Sequence, residues 1–387
     1  KAMDSLDNFI LPYPADGGCD EGPSYWGRAG ASLFDCLELL YSASDGKIDL
    51  FDHPLIRNIG TFICKAYIRS PYYINFADAS AKMSIEAPLV FRYGKAIDDA
   101  TMQQFAAFAA REQNLASRMP GGSISRALPA LFTLNELHAT QAAEPLLRDV
   151  WLPNIQVMAA RSEEGSASGF YLAAKGGHND ESHNHNDIGN FIVYHDGLPV
   201  LIDAGAQTYT RKTFSSQRYE LWNNQSAYHN VPTINGVMQK EGPQFRARDI
   251  QYKATSQQAE LSLDIAGAYP AEALVESWHR TITLNREKSI ALRDVFKLNE
   301  TTAPVQFNFI TPLGVSIDAP GTIRLTDAAS QRTFLLRCHA SLQPTIETIT
   351  LDDERMSRSW GNKIFRLVLT ASELKPNGDF TFAILKY

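Results

Sequence analysis

Apolar positions recur at helical spacing through the first part of the chain and at alternate positions through much of the rest. In 30–41, GASLFDCLELLY, residues Leu33, Leu37, Leu40 and Tyr41 fall on one stripe, which predicts a helix. Residues 54–69 repeat Ile56, Ile59, Ile63 and Tyr67 along one face, and Pro54 suits the first helical position. Segments 97–112 and 123–140 also read as helices, with Pro129 predicting a kink or break in the second. After about Leu152 the period becomes two. ESWHRTITLN (276–285) and KSIALRDVFKL (288–298) alternate around a turn at Asn285, Arg286 and Glu287, which predicts a hairpin. Similar runs at 305–310, 332–338, 363–370 and 379–386, separated by Gly, Pro, Asn and Asp, suggest an antiparallel sandwich. The expected fold is therefore α+β and multidomain: a helical domain over 1–152, then an antiparallel β-sandwich over 153–387.

The composition changes this picture little. With 387 residues, 44% hydrophobic and 20% charged, the chain has material for two or three domains of roughly 100–200 residues. A net charge of −7 argues against a protein that coats nucleic acid, which would carry a basic footprint. A local basic cleft for an anionic substrate remains compatible with it. No apolar run approaches the roughly 20 residues that span a bilayer, so no membrane span is expected. The opening KAMDSLDNFI has no initiator Met, basic region or apolar stretch, and reads as a mature form or a fragment. Cys19, Cys36, Cys64 and Cys338 form no CxxC pair and are expected to be free. No dinucleotide or P-loop fingerprint is present.

Candidate chemistry gathers in two places. Of nine histidines, His178, His183, His185 and His195 crowd into one short stretch centred on SHNHNDIGN. Asp203 ends the apolar run GLPVLIDAG, and His229 follows in SAYHN. Two imidazoles and a carboxylate brought together by hairpins would suit Zn²⁺. If extended, His183 and His185 share a strand face, so one could bind metal while the other faces substrate, or both could be ligands. Asp187 would fix an imidazole from behind or belong to the local turn. The second cluster is DGGCDEGPSYWGRAG (16–30), a glycine-rich loop ahead of the helix at 30–41. There Trp26 could stack on a sugar or plug the end of the domain.

These runs, DGGCDEGPSYWGRAG, then SHNHNDIGNFIVYHDGLPVLIDAGAQTYT, then QSAYHNVP, resemble the heparinase II/III-like family of polysaccharide lyases along nearly the whole chain. The resemblance implies a helical (α/α) toroid, here only its C-terminal part, packed on the β-sandwich with the substrate cleft between them. It implies that Tyr25 and His183 are catalytic and that His185, Asp203 and His229 hold a zinc ion, more structural than catalytic. Glu21, Trp26, Tyr209 and Arg211 stand as substrate-binding candidates. Tyr219 lies in the same loop, and Arg28, Lys212 and Arg218 are further cations near the motifs. The implied reaction is β-elimination on a uronate-containing polysaccharide such as a glycosaminoglycan, with Tyr25 and His183 on opposite walls of a shared groove. The family also uses an Asn well upstream of its tyrosine to neutralise the uronate. Only 24 residues precede Tyr25, so the expectation is the C-terminal portion of a longer lyase, or a short relative without activity. A periplasmic or secreted location is likewise implied by resemblance alone. Two alternatives stay open: a glycoside hydrolase using Asp16, Asp20 and Glu21, and a non-catalytic carbohydrate-binding fragment.

Overall fold

The computed structural model describes residues 2–115 and 123–387. Among these residues seven helices come first: α1 (Ala2–Ile10), α2 (Pro23–Trp26), α3 (Gly30–Ala43), α4 (Pro54–Lys65), α5 (Ala87–Ala96), α6 (Ala100–Glu112) and α7 (Ile124–Ala139). An eighth, α8 (Glu354–Trp360), lies among the later strands. Pro54 does open α4, where the His53 ring accepts a hydrogen bond from the Leu55 amide at 3.2 Å.

The helix read over 54–69 stops at Lys65. Tyr67–Arg69 instead pairs with Tyr72–Tyr73 in a small antiparallel hairpin. Tyr67 stays buried, against Tyr73 and Phe105, so the apolar stripe marks its burial but not its conformation. The expected break at Pro129 is absent, and α7 runs unbroken through it. Helix α6 begins three residues later than expected, because the Asp99 carboxylate caps the Met102 amide at 2.7 Å. Helix α5 was not legible as a stripe because Ala87 through Gly94 are all buried. Helix α4 packs against α2, α3, α5 and α6, but the ring of helices implied by the resemblance is not evident among the described residues.

Among the described residues, three larger antiparallel sheets follow, with a two-stranded one that pairs His178–Asn179 with Gly242–Arg246. A five-stranded sheet uses 149–152, 157–161, 170–175, 191–195 and 198–201 in that order. An eight-stranded sheet is built around the hairpin of Val275–Asn285 and Ser289–Leu298, with Asn285 opposite Ser289. A four-stranded sheet runs through Gln306–Thr311 and Lys363–Ala371. The five-stranded sheet is covered on both faces. Val157, Ala159, Tyr171, Ala173 and Ile192 join the helical core, while Met158, Leu172, Phe191 and Val193 join a second core shared with the other sheets. Burying both faces produces continuous apolar runs such as FYLAAK and FIVYH in place of alternation.

One side chain reaches from this framework to the candidate chemistry. Arg280, fully buried, pairs with Asp294 across the hairpin at 2.7 and 2.8 Å. Its remaining nitrogen donates to the carbonyls of Gly189 (3.0 Å) and Asn230 (2.7 Å), which flank the histidine loops.

Candidate functional site

His185 lies in the loop ahead of strand 191–195, Asp203 follows strand 198–201, and His229 follows the one-turn helix Ser226–Tyr228. All three are fully buried, and one ligand atom from each lies within 4.8 Å of the others. The Asp203 carboxylate accepts from Asn190 Nδ2 (2.8 Å), His229 Nδ1 (3.0 Å) and the Gly205 amide (2.7 Å). Burial pushes this carboxyl up, but His229, His185 and the Gly205 amide outweigh burial and hold it below its ordinary value. The same pair raises His229, although burial alone would lower it.

His185 Nδ1 and His229 Nε2 are buried and bond to nothing among the described residues. Each such orphan costs about 1–3 kcal/mol, and a cation held between them would satisfy both. Two imidazoles and a carboxylate are a donor set that fits Zn²⁺.

A buried carboxylate that the sequence did not reveal joins this cluster to the second histidine. Asp78 sits in the segment between the 72–73 strand and α5. Asn75 of the same segment donates to the Asp203 carbonyl at 3.0 Å. Asp78 Oδ2 meets His183 Nδ1 at 2.7 Å and the Tyr209 hydroxyl at 2.9 Å. Its Oδ1 meets His185 Nε2 at 3.0 Å and Arg218 Nη2 at 2.9 Å. Burial raises the Asp78 carboxyl, but His185 and Arg218 outweigh it and hold it well below the usual carboxylate range. An ionised carboxylate only accepts, so the protons reside on His183 Nδ1 and His185 Nε2. In the neutral imidazoles the lone pairs then lie on His183 Nε2 and His185 Nδ1.

The tyrosine loop closes on this hub. The Tyr25 ring lies against the His183 ring, with centroids 4.5 Å apart. Its hydroxyl bonds to that of Tyr209, which passes the contact on to Asp78. Burial raises the Tyr25 phenol above its ordinary value and outweighs the lowering from Tyr209 and Arg355. Arg355, at the start of α8, stands over the Tyr209 ring at 5.2 Å and bonds to the Asp78 carbonyl and to Ser80 Oγ. Glu21 reaches His183 Nε2 at 3.6 Å, and the Asp20 carboxylate accepts from the Ser182 amide at 3.2 Å.

Several sequence expectations need correction. His183 is not on a strand. It takes a left-handed turn conformation at φ 55°, so the shared-face argument fails, and the two imidazoles meet through Asp78 instead. Tyr25 and His183 are packed ring on ring, not on opposite walls. Trp26 is only 3% exposed: it stacks on Tyr93 and donates to the Ile59 carbonyl, so it is a core residue and no sugar platform. Asp187 takes the turn role of its two readings: its carbonyl accepts from the Asn190 amide at 2.9 Å, and its carboxylate pairs with buried Lys175 at 2.8 Å, which also holds Glu181. Arg211 is exposed where the one-turn helix Lys212–Phe214 begins. Lys212 pairs with Glu220, and Tyr219 meets Asn184 at 3.4 Å. Arg28 is exposed. Asp78 and Arg355 were missed, and Arg218 was noted only as a cation. Asp78 is a single acid in an apolar run, with no spacing to mark it.

A family model for the heparinase II/III-like C-terminal region matches residues 148–376. The chain belongs to the heparinase II/III-like family. Its matched region carries His183, His185, Asp203, Tyr209, Arg218, His229 and Arg355, while Tyr25 and Asp78 lie ahead of it. No curated protein matches this chain in sequence. Among solved structures, a heparinase III superposes with a TM-score of 0.73 at 14% identity, over 99% of this chain and 54% of that one. Heparan sulfate lyase HepC from Pedobacter heparinus gives 0.70 at 14%, over 100% and 55%. A Paenibacillus xanthan lyase gives 0.58 at 11%, over 98% and 41%. At such identities the likeness speaks for the fold. This heparinase II/III-like chain spans about half the length of those structures.

Proposed function

We propose that the chain cleaves uronate-containing polysaccharides by β-elimination, with His183 and Tyr25 exchanging the protons. The observation that carries this reading is the Tyr25 phenol packed on an imidazole whose Nδ1 is fixed by ionised Asp78. That bond leaves His183 Nε2 as a base aimed away from the hub. In the proposed step Nε2 takes the C5 proton beside the uronate carboxylate. The C–H electrons form the C4–C5 double bond, and the C4–O bond breaks. Tyr25 gives its proton to the departing oxygen. A raised phenol suits this acid role, since it stays protonated at neutral pH.

Zn²⁺ bound by His185, Asp203 and His229 would supply a structural tie across three segments and keep His185 against Asp78. A periplasmic or secreted location belongs to the same proposal. The hydrolase alternative finds less support. Asp16 is clasped by the amides of Gly18 (2.9 Å) and Asn154 (2.6 Å), and Asp20 by those of Glu21 and Ser182, so both act as loop anchors.

The test is the product. Incubation with heparan sulfate, alginate and xanthan is expected to give ultraviolet-absorbing unsaturated ends from at least one of them. New reducing ends without that absorbance would indicate hydrolysis and end the lyase reading.

For the metal, the unmodified protein is expected to contain about one zinc per chain, and His185→Ala close to none. The variant should melt several degrees lower, at about 2–4 °C per kcal/mol lost. A chelator should lower the Tm of the unmodified protein without lowering that of the variant further. Absence of zinc from the unmodified protein would remove the ligand assignment.

A further inference from the structure

We infer that Phe214 is the stacking wall of a sugar subsite beside His183, holding the apolar face of one hexose ring of the polysaccharide. Which bond is cut rests on the lyase reading above; the binding role does not.

Phe214 is 69% exposed, whereas its neighbour Thr213 is buried. This inverts the usual preference for placing the larger apolar side chain inside. The turn that presents it is held at three points. Thr213 Oγ1 accepts from the Thr210 amide at 3.0 Å, and the Thr213 carbonyl accepts from Arg218 Nη1 at 3.4 Å. Arg218 is itself bonded to Asp78, and Lys212 is ion-paired to Glu220 at 2.7 Å. The phenyl ring is therefore held out in solvent by a fixed turn that is wired to the same carboxylate as the two histidines.

Its position is equally specific. The ring stands nearly perpendicular to Tyr209, 5.1 Å between centroids, and to His183, 6.5 Å. Tyr25, His183, Tyr209 and Phe214 thus form one continuous aromatic wall. Its inner members carry hydroxyl and imidazole groups, while its outer end is purely apolar. A pyranose has a polar rim and a face of C–H groups, and such a face packs on the electron-rich face of an aromatic ring. A sugar chain with its reacting C5 at His183 would rest the neighbouring ring on Phe214. That is the platform role which buried Trp26 cannot fill.

The experiment compares the unmodified chain with Phe214→Ala, Phe214→Leu and Phe214→Trp. Affinity for tetrasaccharides of alternating glucuronic acid and N-acetylglucosamine, and of alginate, is read by calorimetry, and KM and kcat by ultraviolet absorbance. Ala and Leu are expected to weaken binding and raise KM about tenfold, with kcat within about twofold, and Trp to stay within about twofold of Phe. All three should keep the parent Tm, because the ring is exposed. Equal affinity for Ala and Phe, or for Leu and Phe, overturns the stacking role. Phe214-dependent binding without any absorbing product keeps the subsite and removes the lyase reading. Binding of neither tetrasaccharide overturns the subsite, while the lyase reading stands or falls on the unsaturated product.

Discussion

Tyr25→Phe is expected to slow formation of unsaturated product by about 10²–10⁴-fold, the range for removing a positioned acid or base. The loss should appear in kcat, because the ring and its contact with His183 at 4.5 Å remain and only the hydroxyl is deleted. That hydroxyl bonds to Tyr209, which keeps Asp78 and His183 as neighbours in the variant. Zinc content and Tm should therefore match the parent. Turnover within a factor of about two of the parent would exclude the phenol from proton transfer. Loss of zinc along with activity would instead make Tyr25 a structural residue.

Asp78→Ala is expected to damage both fold and chemistry. The side chain is buried and faces His183, His185, Tyr209 and Arg218 at 2.7–3.0 Å. Removing one partner from a buried charge network leaves the others uncompensated and costs about 3–5 kcal/mol. Denaturant unfolding should report that loss. Asp78→Asn keeps the shape but not the charge, so it separates the two effects. It is expected to lose about 10–100-fold in turnover, as for groups that orient a ligand or base, while retaining most of the stability. An Asn variant with parental turnover would show that the carboxylate does not set the His183 tautomer.

How much of this was legible depended on the kind of burial involved. The 275–298 hairpin has one core face and one solvent face, so its alternation was readable. Strands 157–161, 170–175 and 191–195 are buried on both faces, which erases the period of two. Helix α5 is hidden for the same reason. At the site, the His185, Asp203 and His229 positions stood out as clustered ligand types, and folding does bring them together. Tyr25 and His183 were singled out by a recognisable run of residues, and their rings do meet. Asp78 and Arg355 could not be found that way. They act through long-range contacts, 105 residues from Asp78 to His183 and 277 from Arg355 to Asp78, and neither sits in a motif. Trp26 misled because an aromatic beside a motif looks the same in sequence whether its ring is stacked outside or inside.

Arg355 has an implication for how the protein is made. A growing chain leaves the ribosome N-terminus first, so Tyr25, Asp78 and both histidine loops emerge before the guanidinium that bonds to the Asp78 carbonyl, Ser80 and the Gln207 carbonyl. The Asp78 hub thus lacks this brace until position 355 has emerged, so its geometry is completed by a side chain made 277 residues after Asp78 itself.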